Sequence, residues 1–182
     1  MQRNPAGILI HGLAGVGKTT LAQAFVHWLR ITEGLRHGCF WFSFDDIHSA
    51  NHVFDETGRS IFGPQFGLDS MGVSIDQLVE VFRENPYLIV WDNFESVCGV
   101  SETGIAPLLS PSDQAILRRF LEELRGTTTK VLITSRSHEK WLPAEDCFCL
   151  RLGGLQREEM WEYAAQIMND LGLKIERRPS VG

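Results

Sequence analysis

The sequence predicts an α/β fold of three layers, in which helices cover both faces of a five-stranded, mainly parallel sheet. Apolar, strand-like runs alternate along the chain with segments of helical periodicity, which is the order of elements in such sheets. The runs are apolar throughout, as expected where both faces of a strand are covered. A length of 182 residues suits one domain with a sizeable core. The five predicted strands are Ala6–His11, Cys39–Phe44, Tyr87–Trp91, Lys130–Thr134 and Cys147–Leu152.

Three helices are predicted in the first half of the chain. The first follows the first strand, and the second covers about residues 47–62. The third begins at a capping box formed by Ser74 and Gln77 and stops before Pro86. Apolar residues at helical spacing predict which side of each helix faces the core. They are Leu21, Ala22, Phe25, Trp28 and Leu29 in the first helix and Ile75, Leu78, Val79 and Phe82 in the third.

Two further helices are predicted in the second half. One begins at Ser110 with Pro111 in its first turn and ends near Gly126. The last runs from about Gln156 to Leu171. The Gly-, Ser- and Pro-rich stretches 63–73 and 96–110 predict long loops. The expected core residues are Ile116, Leu117, Phe120, Leu121 and Leu124 in one helix and Met160, Trp161, Ala164, Ile167, Met168 and Leu171 in the other.

The segment between the first predicted strand and the first predicted helix has the P-loop spacing G-x-x-x-x-G-K-[ST]. It reads Gly12-Leu13-Ala14-Gly15-Val16-Gly17-Lys18-Thr19 and is followed by Thr20. Glycines allow the backbone to fold around phosphate oxygens, and the N–H groups of the loop and of the helix N-terminus bind the anion. Lys18 can reach the β- and γ-phosphates, and the Thr19 hydroxyl can ligate Mg²⁺. The segment therefore predicts a site for a nucleoside triphosphate.

Two acidic residues near the end of the third predicted strand extend this site. Asp92 follows the apolar run 87–91, which matches the Walker B arrangement, where the acid holds Mg²⁺ through water. The carboxyl ends of parallel strands share one edge of the sheet, so Asp92 and the P-loop are expected to lie together. Glu95 can orient or deprotonate an attacking water, whereas the amide of Asn93 cannot. The alternative is that Glu95 only caps or solvates the following loop.

An arginine follows the fourth predicted strand. Arg136 comes after the hydroxyl residues Thr134 and Ser135, at the same expected edge of the sheet. A basic side chain there can contact the γ-phosphate and respond to its loss. The alternative is an exposed arginine without a function in the site.

Composition argues against several other classes of protein. The net charge of −6 disfavours a large nucleic-acid footprint. The four cysteines form no C-x-x-C pair, so we expect reduced, mostly buried thiols and no zinc site. His48 and His52 are expected to be exposed helix residues, since the spacing H-x-x-x-H alone is weak evidence for a metal. No apolar stretch is long enough to span a bilayer and no secretory pattern is present, which predicts a cytoplasmic protein.

The ordered set of motifs resembles the STAND branch of P-loop NTPases, which includes the NB-ARC and NACHT-like ATPase modules of signalling and defence proteins. The segments that carry the resemblance are Gly12–Ala22, Leu88–Glu95, Leu132–Arg136 and Leu152–Glu159. The resemblance implies that Lys18, Thr19 and Thr20 hold phosphates and Mg²⁺, that Asp92 completes the Mg²⁺ shell and that Arg136 senses the γ-phosphate. It also implies the sheet order 2-3-4-1-5, with the Arg136 strand between the P-loop strand and the Asp92 strand.

One departure from the NB-ARC pattern concerns the residue after Asp92. NB-ARC modules tend to carry a second acid there, where this chain has Asn93, and the spacing of Glu95 is similar to the NACHT type instead. The resemblance also divides the chain. We expect a nucleotide-binding core over residues 1–153, a bridge and first helix toward a helical lid over 154–173 and a disordered tail over 174–182, all within a larger multidomain regulator.

The predicted function is that of a signalling ATPase domain that binds ATP or ADP with Mg²⁺, switches conformation between the two states and hydrolyses ATP slowly. Its expected partners are further copies of itself or effector domains of the full-length protein. The alternative is a P-loop phosphotransferase acting on a small molecule, although Arg118, Arg119 and Arg125 suggest a solvated helix face more than a basic lid. A GTPase is disfavoured because the chain lacks an Asn-Lys-x-Asp segment. A DNA-translocating or clamp-loading ATPase is disfavoured by the acidic charge.

Overall fold

The computed structural model describes residues 5–66, 71–99, 104, 106–143, 145–170 and 172. The expected tail over 174–182 lies outside these residues. The chain divides into two compact units, Met1–Leu152 and Gly153–Gly182. The strands are β1 (Gly7–His11), β2 (Cys39–Ser43), β3 (Leu88–Asp92), β4 (Lys130–Ser135) and β5 (Cys147–Arg151). The helices are α1 (Lys18–Ile31), α2 (Ala50–Phe62), α3 (Met71–Glu84), α4 (Glu95–Cys98), α5 (Pro111–Glu123) and α6 (Arg157–Asp170).

The five strands form one parallel sheet in the order β2-β3-β4-β1-β5. The predicted α/β class with a parallel five-stranded sheet is therefore confirmed, and the strand order is the one that the resemblance implies. Strand β4 comes fourth in the chain but pairs with β3 on one side and with β1 on the other. This insertion brings the ends of β1, β3 and β4 together at one edge of the sheet.

Apolar side chains alternate between the two faces of the central strands, and each face is covered by helices. Ile89 and Trp91 of β3 belong to the larger core cluster, which includes buried residues of α2, α3 and α5. Leu88 and Val90 of the same strand belong to a smaller cluster on the other face, where Ala22 of α1 lies. The three layers follow from this division, since each face of β3 buries its own apolar residues.

The two edge strands differ from the predicted pattern of full burial. Trp41 of β2 is 36% exposed, and Phe148 and Leu150 of β5 are 60% and 43% exposed. Continuous apolar runs are typical of buried strands, but an edge strand has a neighbour on one side only. The prediction is therefore right for β3 and most of β4 and wrong for β5.

Helix α1 buries less of its apolar stripe than predicted. Ala22 is fully buried and Phe25 and Leu29 pack against the smaller cluster, as expected. Leu21 and Trp28, however, are 39% and 54% exposed. They lie seven residues apart, about two turns, and therefore share one side of the helix, which faces outward. The periodicity identifies the apolar side of α1 but not how wide a stripe the sheet covers.

Two predicted helix boundaries need correction. Helix α3 begins at Met71, so Ser74 lies inside the helix and is not its N-cap. The predicted loop over 63–73 is correspondingly shorter, and the predicted loop over 96–110 begins with the end of α4. Helix α2 begins at Ala50, so His48 precedes it, while His52 lies in its first turn and pairs with Glu56 at 3.1 Å.

The start of α5 is as predicted. The Ser110 side chain accepts a hydrogen bond from the Asp113 N–H, and Pro111 is the first helical residue. Asp113 also accepts from the Ala50 N–H at 2.9 Å, so one carboxylate caps the starts of both α2 and α5.

Of the three arginines predicted to be solvated, Arg118 and Arg119 are exposed but Arg125 is not. Only 18% of its side chain is exposed, and its Nε lies 2.8 Å from the buried Asp146.

The second unit contains α6. The predicted inward-facing residues Met160, Trp161 and Ile167 are 53%, 43% and 41% exposed, so this prediction is wrong. Leu171 lies outside the described residues. Among the described residues of this unit, α6 is the one helix or strand, so its apolar side has no partner of its own unit there to pack against. Among the described helices, none has both the length and the apolar composition needed to cross a bilayer.

Candidate functional site

The P-loop turns from β1 into α1 through two residues with positive φ. Gly15 has a φ of +78° and Gly17 a φ of +92°, conformations that residues with a Cβ rarely adopt. Gly17 is also the N-cap of α1 and forms no side-chain cap. The first N–H groups of α1 are therefore not capped by the preceding side chain, which is the arrangement that binds anions at a helix N-terminus.

Gly12 is required for a different reason, because the backbone that follows β5 passes close to it. A Cβ at this position would lie 2.3 Å from the carbonyl oxygen of Leu152. The Leu152 N–H donates to the His11 carbonyl at 2.8 Å, which holds the chain after β5 against the beginning of the P-loop. Any side chain at residue 12 would force these two backbone segments apart.

Lys18 folds back over the P-loop. Its Nζ donates to the carbonyl oxygens of Gly12 and Leu13, both at 2.9 Å. Burial lowers the pKa of this ammonium below its usual value; Glu95 and Asp92 oppose the shift and Arg136 adds to it. Lys18 is thus bound to the loop backbone, and its charge is influenced by three other predicted site residues.

Asp92 ends β3 and accepts two hydroxyl groups on one oxygen. Its carboxylate is 4% exposed. The Thr19 hydroxyl donates to Oδ1 at 3.0 Å, and the Thr134 hydroxyl donates to the same oxygen. A threonine hydroxyl beside an aspartate carboxylate is a set of hard oxygen donors, which Mg²⁺ prefers. These two side chains thus fit the metal that the sequence predicts for them.

Glu95 and Arg136 form an ion pair across the ends of β3 and β4. The Arg136 Nε lies 2.7 Å from Glu95 Oε1, and the Arg136 backbone N–H donates to Oε2 at 3.0 Å. The Glu95 side chain is 3% exposed and that of Arg136 is 45% exposed. Both oxygens of the predicted base are therefore engaged by the predicted γ-phosphate sensor.

These residues surround an open cavity of about 270 Å³. Six residues between Ala14 and Thr20 line one side, and Asn93, Glu95 and Arg136 line the other. The structure thus brings together Lys18, Thr19, Thr20, Glu95 and Arg136 around one space. Leu13 is 78% exposed and its carbonyl accepts from Lys18, and a Cβ at Gly12 would lie 3.3 Å from Val16 Cγ2.

Asn93 connects the site to the end of β2. Its φ is +56°, a conformation that asparagine tolerates better than most residues. Its side-chain amide donates to Asp45 Oδ2 at 2.5 Å, and Ser96 donates to Asp45 Oδ1 at 3.4 Å. A carboxylate at position 93 would face the carboxylate of Asp45, so the amide accounts locally for the departure from the NB-ARC pattern.

Two of these partners were missed in the sequence. The sequence motifs give Thr134 no role in the site, although it is the last but one residue of β4 and lies in register with Ile10, two residues before Gly12. Asp45 follows β2 at the edge of the sheet that carries the P-loop. The position of both residues at the carboxyl ends of strands is the signal that could have identified them.

The predictions about cysteines and histidines are partly tested. Cys147 is buried, while Cys39, Cys98 and Cys149 are partly buried and none is in a disulfide. Burial raises the pKa of the Cys147 thiol to about 12, so this thiol is protonated at neutral pH. Within the described ranges, no group of three or more His, Cys, Asp or Glu side chains is placed to hold a metal ion.

The fold is shared with several solved structures. The chain is 18% identical to the ORC1 protein of Aeropyrum pernix, solved in complex with DNA, with a TM-score of 0.63. It is 15% identical to AMPPCP-bound DnaA from Aquifex aeolicus (TM-score 0.57) and 19% identical to a STAND protein with a tetratricopeptide repeat sensor from Pyrococcus horikoshii (TM-score 0.61). These matches cover 92%, 96% and 92% of this chain but only 44%, 48% and 24% of the three larger chains.

At these identities the similarity shows the α/β fold alone and does not single out the STAND branch. No protein-family model matches the chain. No curated protein sequence matches it either. Because the ORC1 structure is a complex with DNA, the expectation that this chain does not bind nucleic acid has no support from the comparison.

Proposed function

We propose that this chain is an ATPase domain that binds ATP and ADP, hydrolyses ATP slowly and changes conformation between the two states. The observation that carries the proposal is the ion pair of Glu95 and Arg136 on the wall of the P-loop cavity. A site built only to hold phosphate needs the loop and Lys18. The added pair of a buried carboxylate and a half-exposed guanidinium supplies a base and a cation that a γ-phosphate can separate.

The roles of the P-loop residues follow from their positions. The backbone N–H groups of residues 12–20 bind phosphate oxygens, and Lys18 exchanges the Gly12 and Leu13 carbonyls for the β- and γ-phosphates. Thr19 and Asp92 would hold Mg²⁺, the latter through water. When bound, the metal neutralises negative charge on the phosphates.

The switch rests on competition for Arg136. A γ-phosphate carries more negative charge than a carboxylate and forms strong bidentate bonds with a guanidinium. When the Arg136 side chain turns toward the phosphate, Glu95 Oε1 loses its donor while Oε2 keeps the Arg136 backbone N–H, and the freed oxygen can orient a water for attack. Loss of the γ-phosphate returns Arg136 to Glu95. The presence of the third phosphate is thereby converted into a movement at the ends of β3 and β4.

The proposal also includes the branch of P-loop ATPases to which this domain belongs. The order of motifs supports a STAND-type module with a core over 1–153 and a bridge toward a helical lid over 154–173, in a cytoplasmic regulator whose other domains or copies receive the signal. The three arginines considered for the basic lid of a phosphotransferase are already paired with acids: Arg118 with Glu122, Arg119 with Asp76 and Arg125 with Asp146.

The proposal is tested by identifying the bound nucleotide and the molecule that accepts its γ-phosphate. Nucleotide released from the purified chain is identified by mass spectrometry, and ATP turnover is measured with and without candidate small-molecule acceptors. We expect ADP in the released fraction and a slow turnover that acceptors do not change. Turnover that rises strongly with an acceptor would make the chain a phosphotransferase, and failure to bind either added ATP or ADP would overturn the proposal.

A further inference from the structure

A buried carboxylate lies in the loop just beyond the predicted phosphate sensor. Glu139 is 4% exposed and accepts three side-chain hydrogen bonds. The hydroxyls of Ser135 and Ser137 both donate to Oε1, the latter at 2.6 Å, and the Trp141 Nε1 donates to Oε2 at 2.8 Å. Among the described residues, no basic side chain forms an ion pair with it. The charge is thus stabilised by these neutral donors.

The two serines that bind Glu139 are the neighbours of Arg136 on either side. The Ser137 N–H also donates to the Ser135 hydroxyl at 3.1 Å, which closes a compact turn around the arginine. The backbone on both sides of Arg136 is therefore tied to one carboxylate oxygen. Only the side chain of Arg136 is left to move between Glu95 and the cavity.

The backbone at Glu139 supports the same conclusion. Its φ is +25°, outside the regions that residues with a side chain prefer. Such a conformation persists only where the surroundings hold it in place, and it occurs most often near functional sites. A carboxylate that is both buried and held in an unfavourable backbone conformation costs free energy, so a purely apolar turn would be the simpler way to fill this space.

Glu139 is also connected, through Trp141, to the residue that precedes the predicted base. The Trp141 indole, which it holds, stacks on Phe94 with ring centroids 5.7 Å apart and an angle of 17° between the rings. Phe94 directly precedes Glu95, and its N–H donates to the Thr134 carbonyl at 2.8 Å. Glu139 is thus connected through two serines to the chain on either side of Arg136. Through Trp141 it is connected to Phe94, the neighbour of Glu95.

We propose that Glu139 is a positioning residue that fixes the Arg136 turn, so that the guanidinium distinguishes a nucleoside triphosphate from a diphosphate. This inference rests on the proposed function and adds the residue on which its discrimination depends. Glu139 touches neither phosphate nor water in this role. Its effect is therefore expected on the preference for the triphosphate and not on diphosphate binding.

The test compares the dissociation constants for ADP and for the slowly hydrolysed analogue ATPγS, measured by calorimetry on the whole chain. Glu139→Gln keeps the shape of the side chain but weakens the bonds to both serines. We expect ADP affinity to change by less than about twofold, while the preference for ATPγS over ADP falls about tenfold, the effect of one charge-assisted hydrogen bond. Glu84→Gln, which removes an exposed carboxylate at the end of α3, is the control and should change neither constant.

A double variant separates positioning from a general loss of structure. If Glu139 acts through Arg136, Glu139→Gln causes no further loss of preference in an Arg136→Ala background. Three outcomes would overturn the inference while leaving the proposed function intact. They are additive losses in the double variant, an unchanged preference for ATPγS in Glu139→Gln, and an equal loss of affinity for ADP and ATPγS. If Glu139→Gln does not fold, Ser137→Ala removes one donor from the same oxygen and decides the question by the same criteria. Absence of any nucleotide binding to the unmodified chain would instead overturn the proposed function.

Discussion

The guanidinium of Arg136 stands between the buried carboxylate of Glu95 and the solvent. The two side chains meet at 2.7 Å, yet 45% of the arginine side chain is exposed and only 3% of the glutamate. A ligand that enters the cavity therefore encounters the cation before the carboxylate. In the proposed mechanism, Arg136 therefore meets the phosphate first and Glu95 is released second.

Replacement of Lys18 should remove most nucleotide affinity. In Lys18→Ala the cavity loses the ammonium that is bound to the P-loop backbone, and we expect the dissociation constant for ADP to rise about 100-fold, the effect of losing charged hydrogen bonds. Titration calorimetry measures it. Lys140→Ala, at an exposed position, is the control. Unchanged ADP affinity in Lys18→Ala would rule out this cavity as the nucleotide site.

Replacement of Glu95 should separate binding from turnover. Glu95→Gln keeps an acceptor for Arg136 but cannot take a proton from water, so we expect ATP turnover to fall about 100-fold while ADP binding is retained. Phosphate release under saturating ATP provides the measurement, with Glu84→Gln as the matched control. A turnover rate equal to that of the unmodified chain would exclude Glu95 from the reaction.

A methyl group at Gly12 should destabilise the protein. In Gly12→Ala the new Cβ would lie 2.3 Å from the Leu152 carbonyl oxygen, a backbone atom that cannot turn aside. We expect the free energy of unfolding to fall by about 2 kcal/mol, a typical effect of overpacking. Urea denaturation measures it. Gly153→Ala is the control, because a Cβ there meets no atom within 4 Å, and equal stability of the two variants would contradict the close approach.

The shared cap at Asp113 should make stability depend on pH at acidic values. Burial alone would raise the pKa of this carboxyl, but hydrogen bonds from Ser110, Ala50 and Ser49 outweigh it and lower the pKa below 3.8. The contribution of Asp113 is therefore present above the usual pKa and is lost as the pH falls through the lowered one. We expect Asp113→Ala to lower the free energy of unfolding by about 1 kcal/mol at pH 7 and by less at pH 3. Denaturation at both pH values tests this, and an equal loss at both would show that the charge of Asp113 is not involved.

The sheet was largely predictable because its strands are continuous apolar runs bounded by polar residues. Strand β4 was predicted over Lys130–Thr134 and extends to Ser135. The exposures of Leu21 and Trp28 were not predictable, since helical periodicity shows which residues share a side and not which neighbours cover it. The capping box at Ser74 failed for a related reason: a local pattern cannot show that α3 begins a turn earlier, at Met71.

The candidate site, like the fold, was predictable from the sequence only in part. The P-loop is contiguous in sequence, so its residues and their proximity to Asp92 follow from a motif and the rule for parallel strands. The second hydroxyl on Asp92 depends on the pairing of β3 with β4, and Glu139 lies in an irregular turn that no spacing marks. Contacts that depend on register or on a left-handed backbone become visible only in three dimensions. The roles assigned to Lys18, Glu95 and Arg136 remain predictions.

The position of β4 between β3 and β1 has a consequence for how the protein is made. During synthesis the P-loop and Asp92 leave the ribosome well before residue 130, yet in the finished sheet their strands do not touch, because β4 separates them. A nascent chain that ends before β4 therefore lacks the strand that joins β1 to β3 in the sheet. The sheet becomes continuous only when β4 pairs with both strands, and contacts so distant in sequence are typical of slow folding.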